Sequence, residues 1–113
     1  MNANYYVLLI FAPVLIFTGI AGFLIPANKS LTSGAPGYNI FHIAFGLLGV
    51  GMILCGSDMC IRGFNIGFGV IDLYQLAASR LALWPIAQFR WKTADDILHL
   101  VIGAGLVAVG LFA

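Results

Sequence analysis

The chain has 113 residues, of which 62% are hydrophobic and 8% charged, with five basic and four acidic side chains and a formal net charge of +1. A soluble domain carries about a quarter of its residues as charged groups, so this composition excludes an ordinary soluble globule and indicates that lipid is the solvent. With so few charges, no basic patch and no phosphate-cradling Gly loop, nucleic-acid binding is excluded as well.

Taken in chain order, the hydropathy pattern predicts four spanning helices, each near the roughly 20 apolar residues that a bilayer requires. The first runs from about Tyr5 to Ile25. It lacks a basic n-region and a small-residue cleavage site before Pro26, so it reads as a span and not as a cleaved signal peptide. Pro13 inside it predicts a mild kink. The polar stretch Ala27–Tyr38 follows, and the second helix runs from about Asn39 to Cys55. A short turn, Gly56-Ser57-Asp58-Met59, leads through Cys60 into a third helix from about Ile61 to Leu83. The stretch Pro85–Ala94, with Arg90, Trp91 and Lys92, is expected at the membrane surface, and the fourth helix runs from about Asp95 to Ala113 without a tail. Asn39 and Asp96 (or Asp95) are the expected N-caps, because a side-chain oxygen there can accept an orphan backbone N–H.

A motif occurs twice. Asn39-Ile40-Phe41-His42-Ile43, with Gly46 after it, recurs as Asp96-Ile97-Leu98-His99-Leu100 with Gly103, and each copy is preceded by a Leu-x-Pro exit, Leu24-Ile25-Pro26 and Leu83-Trp84-Pro85. The predicted fold is therefore all-α: one integral-membrane domain, 1–113, forming a four-transmembrane-helix antiparallel bundle of two pseudo-symmetric helical hairpins, about 5–56 and 61–113. A parallel repeat has its axis along the membrane normal. It puts His42 and His99, the only two histidines, on one side at matching shallow depth, and Cys55 and Cys60 on the other. Lys29, Arg80, Arg90 and Lys92 outweigh Arg62, so the long loops and both His are expected on the cytoplasmic side and the termini and both Cys outside. Small residues mark where helices can touch: Gly63 and Gly67 form a GxxxG pair and Ala78 and Ala82 a small-xxx-small pair, while Gly46, Gly49, Gly51, Gly103, Gly105 and Gly110 punctuate the second and fourth helices.

Three groups could carry chemistry. His42 and His99 could ligate a tetrapyrrole, haem or chlorophyll, through neutral imidazole. Alternatively, each sits in a first turn, hydrogen-bonded to loop backbone or to Asn39 or Asp96 three residues earlier. Zinc would want four ligands, and the Cys lie across the membrane. Asp72 falls near the middle of the third helix, where a carboxyl group is costly and points to a role; with Asn65, Gln75 and Ser79 it forms a polar stripe. That stripe could serve a small transporter, or Asp72 could fix packing by bonding Gln75, Thr18 or a partner protein; contacts are the expected role. Cys55 and Cys60 could close a small disulfide outside the cytoplasm, although buried free thiols are the expected state. No Ser–His–Asp grouping, carboxylate pair beside a His or nucleotide motif can be assembled, so no catalytic residue and no enzyme are expected.

The segments Asn39–Gly49 and Thr93–Gly105, with the Leu-x-Pro exits, resemble a family of small four-helix bacterial integral membrane proteins of uncharacterised activity, found in photosynthetic and non-photosynthetic bacteria. The strongest piece is Thr93-Ala94-Asp95-Asp96-Ile97-Leu98-His99-Leu100. The resemblance covers the second to fourth helices best and implies a bundle of two hairpins in a bacterial inner or photosynthetic membrane; it implies no activity. The chain has almost no mass outside its helices. The expected function is that of a non-catalytic accessory subunit, its partners being the lipid bilayer and other integral membrane proteins of a larger complex.

Overall fold

The computed structural model describes residues 3–26, 29, 33–84 and 89–113 and contains, among them, four α-helices and no strand. These are α1 (Ala3–Leu24), α2 (Pro36–Cys55), α3 (Asp58–Leu81) and α4 (Thr93–Phe112). Much of the stretch Ala27–Tyr38, and Pro85 of the second Leu-x-Pro exit, lie outside the described residues. Helices α1, α2 and α4 are long and apolar enough to cross a membrane, as a membrane protein requires; α3 is long enough but richer in polar residues.

The helix ends differ from the expected ones by up to a turn, and local chemistry accounts for the shift. Pro36 stands in the first turn of α2, where its missing N–H costs nothing and its fixed φ suits the helix. Asn39 is therefore already inside α2, buried, and its Nδ2 donates to the Gly34 carbonyl at 2.9 Å; it is not the N-cap. At α4 the cap position belongs to Lys92, whose backbone N–H donates to Asp95 Oδ2 at 2.8 Å. Asp95 thus acts from the third helical position, as the acidic half of a capping box does, and helix α4 begins at Thr93. Gly56 ends α2 in the left-handed region, φ 73°, with its N–H returned to the Met52 carbonyl.

The tightest packing lies within hairpins, α1 on α2 and α3 on α4. It is set by glycines that let backbones approach: Gly19 against Asn39 and Ile43, Gly46 against Ala12 and Ile16, and Gly69 against Gly103 and Val107. Where the hairpins meet, Leu8, Ala12, Leu15, Ile61, Phe64, Phe68 and Leu106 form the apolar core. A polar clasp joins them at one end: Asn65 Nδ2 reaches the Asn4 carbonyl and Asn4 Oδ1 at 3.2 and 3.1 Å, with both residues fully buried. The expected GxxxG contact is not made inside the chain. Gly63 and Gly67 face outward with nothing near enough to touch an added Cβ. Burial of Asn65, Asp72 and Gln75 turns the opposite side of α3 outward, and those glycines go with it.

Arg62 does more than weight the charge balance. Its guanidinium donates to the carbonyls of Gly110 (2.6 Å) and Ala113 (2.8 Å) and pairs with Asp58 at 3.4 Å, so it satisfies carbonyls that the last turn of α4 leaves open. Arg62→Ala is expected to cost about 1–2 kcal/mol and to raise amide hydrogen exchange selectively over the last turn of α4. Uniform exchange across α4 in the variant would show that the clamp contributes nothing.

Candidate functional site

Between the two hairpins lies a partly open cavity of about 160 Å³, mostly apolar but with several polar side chains in its lining. All four helices line it: Leu15 and Thr18 from α1, Tyr38 and His42 from α2, Phe68 and Asp72 from α3, and His99 and Ile102 from α4. Both histidines and the mid-helix carboxyl, which sequence reasoning treats as separate candidates, therefore share one enclosure.

His42 and His99 were expected in first turns near water. Because α2 and α4 start early, each instead lies six residues past the first residue of its helix, about 9 Å along at 1.5 Å per residue. Their exposures are 7% and 5%. His42 Nδ1 lies 2.8 Å from the Tyr38 carbonyl, one turn earlier, and not on Asn39. A carbonyl can only accept, so the neutral ring carries its hydrogen on Nδ1 and keeps the Nε2 lone pair available. The Tyr38 ring packs on the His42 ring with centroids 4.1 Å apart, which fixes the orientation further. His99 is less anchored: its Nδ1 is buried with no hydrogen-bond partner among the described residues, and Trp91 stands edge-on at 6.4 Å. Asp96 does not bond His99; it pairs with Arg80 Nε at 3.1 Å.

Asp72 is 3% exposed and finds no hydrogen-bond partner among the described residues. The expected bonds to Gln75 and Thr18 are not made. Thr18 Oγ1 donates instead to the Val14 carbonyl at 2.8 Å, the usual refuge of a helical hydroxyl, and Gln75 Oε1 is itself buried without a partner. Among the described residues no Lys or Arg lines the cavity.

Two lining or supporting residues escape a reading of composition alone. Tyr38 donates its hydroxyl to Asp95 Oδ1 at 2.7 Å, and Asp95 is fully buried. Each of the two stands four residues before a histidine, on the same helix face; that spacing, repeated in both copies of the motif, is the signal that could have found them.

The cavity that His42 and His99 share has a volume of about 160 Å³, which corresponds to about five water molecules at about 30 Å³ each. Among the described residues no group of three or more His, Cys, Asp or Glu is placed to hold a metal ion. Cys55 and Cys60 are free thiols, and Cys55, expected to be buried, is exposed at the last turn of α2. Comparison with known proteins finds no matching family model, no matching curated protein and no matching solved structure.

Proposed function

We propose that the chain spans the membrane four times, as two pseudo-symmetric hairpins, and serves as a non-catalytic subunit that packs against other integral membrane proteins. Support for the fourth span comes from α3, whose exposed residues between Met59 and Ala77 are Met59, Gly63, Gly67, Val70, Tyr74 and Ala77, none of them charged. Its polar groups face inward, where a membrane helix must keep them. Support for the repeat comes from residues 57 positions apart that meet across the hairpins. Tyr38 bonds Asp95, the Phe11 and Phe68 rings stand 5.5 Å apart, and His42 and His99 line one cavity. The two outer seams repeat the pattern. An apolar groove of about 370 Å³ uses Val7, Ile10, Phe11 and Val14, and one of about 470 Å³ uses Phe64, Gly67, Phe68 and Ile71.

The observation that carries the subunit reading is the open glycine face of α3. Gly63 and Gly67 sit on the outside, beside the larger groove, with nothing against them. A GxxxG pair earns its helix-propensity cost through close approach of another helix, and the described residues supply none. The excess of basic residues at the end holding Lys29, Arg80, Arg90 and Lys92 favours that end as cytoplasmic in a bacterial inner or photosynthetic membrane.

The double variant Gly63→Leu, Gly67→Leu tests the reading. The substitutions meet open space, so helix content and detergent stability should hold, while co-migration with partner proteins after mild detergent extraction should be lost. A wild-type chain that migrates alone at the mass of one copy defeats the proposal.

A further inference from the structure

We propose that the cavity between the hairpins is a hydrated proton-binding site, in which Asp72 holds a proton and exchanges it through water with the imidazoles of His42 and His99. The inference stands on the geometry of the cavity and is independent of whether the chain has protein partners.

All four helices present side chains around Asp72. Helix α1 contributes apolar side chains and Thr18, whose hydroxyl hydrogen is committed to the Val14 carbonyl. Helix α2 contributes Tyr38, whose hydroxyl donates to Asp95, and His42. Helix α4 contributes His99 between Leu98 and Ile102, and α3 itself adds Phe68. The two arginines of α3 itself are engaged elsewhere: Arg80 with Asp96, and Arg62 with Asp58 and the end of α4. An ionised carboxylate buried with neither a counter-charge nor a donor is strongly disfavoured, and such a group neutralises by taking up a proton.

The enclosure also suits water. It has room for about five molecules, and its walls offer what a buried water needs: a carboxyl group that can donate or accept, the His99 ring, and the Nε2 lone pair that the Tyr38 carbonyl leaves open on His42. An apolar void would stay dry; this one has polar groups on three helices.

The exchange balances without any other reactant. The Asp72 carboxylic acid gives its proton to a water, and that water passes one of its protons to an imidazole nitrogen lone pair. The result is a carboxylate and an imidazolium facing each other across the cavity, with no change in net charge, and the reverse transfer restores both neutral groups. Exchange with bulk water proceeds by the same steps toward the loop end, where His42 and His99 stand nearer the helix starts than Asp72 does.

Infrared spectroscopy of the chain in phosphatidylcholine–phosphatidylglycerol vesicles tests this. At neutral pH the wild type should show the carbonyl stretch of a protonated carboxyl group. The band should be absent from Asp72→Asn and should shift when water is replaced by deuterium oxide. In the double variant His42→Phe, His99→Phe the shift should slow on the order of a hundredfold, the usual scale for losing a positioned proton-transfer group. An ionised carboxylate band that vanishes in Asp72→Asn overturns the proposal, as does a protonated band that never shifts, which would mark a dry cavity. An unchanged exchange rate in the double His variant overturns the relay. A second measurement needs no variant. Dicyclohexylcarbodiimide adds to protonated carboxyl groups in apolar surroundings, so peptide mapping of treated vesicles should locate the adduct on Asp72. Labelling confined to Asp58, Asp95 or Asp96 would overturn the assignment even if the variants fail to fold.

Discussion

Asp95→Ala is expected to destabilise the bundle by about 3–5 kcal/mol, the largest effect of any single polar substitution in this chain. Asp95 is fully buried and accepts from two donors, the Tyr38 hydroxyl at 2.7 Å and the Lys92 backbone N–H at 2.8 Å. One bond joins the hairpins and the other starts α4, so a single carboxylate serves both tertiary and local structure. Hydrogen bonds to a charged group contribute about 1.5–3 kcal/mol each, and removing the acceptor takes both bonds away. Tyr38→Phe removes the hydroxyl without leaving Asp95 bare, because the Lys92 bond remains, so it should cost about 1–2 kcal/mol. Asp95→Asn keeps an acceptor oxygen and should fall between them. Equilibrium unfolding in mixed detergent micelles gives all three values, and the Tyr38→Phe, Asp95→Ala cycle should show a coupling of about 1–3 kcal/mol. Additive effects would mean that the short bond between the two side chains contributes nothing to joining the hairpins.

The helices themselves are legible in the amino-acid order because their cause is local: runs of apolar residues of bilayer length, punctuated by polar turns. The His-bearing motif also foretells that His42 and His99 take equivalent places, since each lies the same six residues into its helix. Their burial is missed. A search for Asn or Asp caps passes over Pro36 at the start of α2 and over Asp95 acting from the third position of α4, and a one-turn error turns buried histidines into interfacial ones. The polar stripe of α3 is visible at helical spacing, and its burial holds for Asn65, Asp72 and Gln75. What the stripe touches is not visible, because that depends on the rotation of three other helices. Asn4 shows the limit most clearly: it is fully buried, and its partner Asn65 approaches from sixty-one residues away. The cavity has no signature in the chain at all, since it exists only where Leu15, His42, Asp72 and His99 are brought together by packing.

Glycine substitutions should separate the two kinds of small residue that a pattern search treats alike. At Gly46 an added methyl group would stand 2.5 Å from Ile16 Cγ1, 2.9 Å from the Ala12 carbonyl oxygen and 2.9 Å from the Ile16 backbone nitrogen. The side chain can turn away, but the two backbone atoms belong to α1 and move only if the helices part. Gly46→Ala is therefore expected to cost about 2–3 kcal/mol, the upper part of the usual range for overpacking. Gly103→Ala meets the Gly69 carbonyl oxygen at 3.0 Å and Asp72 Cβ at 3.1 Å. Those contacts need a shift of only a few tenths of an ångström, so its cost should be smaller, near about 1 kcal/mol. Its displacement of Asp72 should also narrow the cavity. Gly63→Ala faces open space and should be neutral or stabilising by up to about 1 kcal/mol, the helix-propensity difference between Ala and Gly. Unfolding midpoints of the three variants in one detergent should then fall in the order Gly63→Ala, Gly103→Ala, Gly46→Ala, from most to least stable. If Gly63→Ala proves as damaging as Gly46→Ala, then the outward face of α3 is packed against something in the isolated chain, and the division between inner and outer glycines fails.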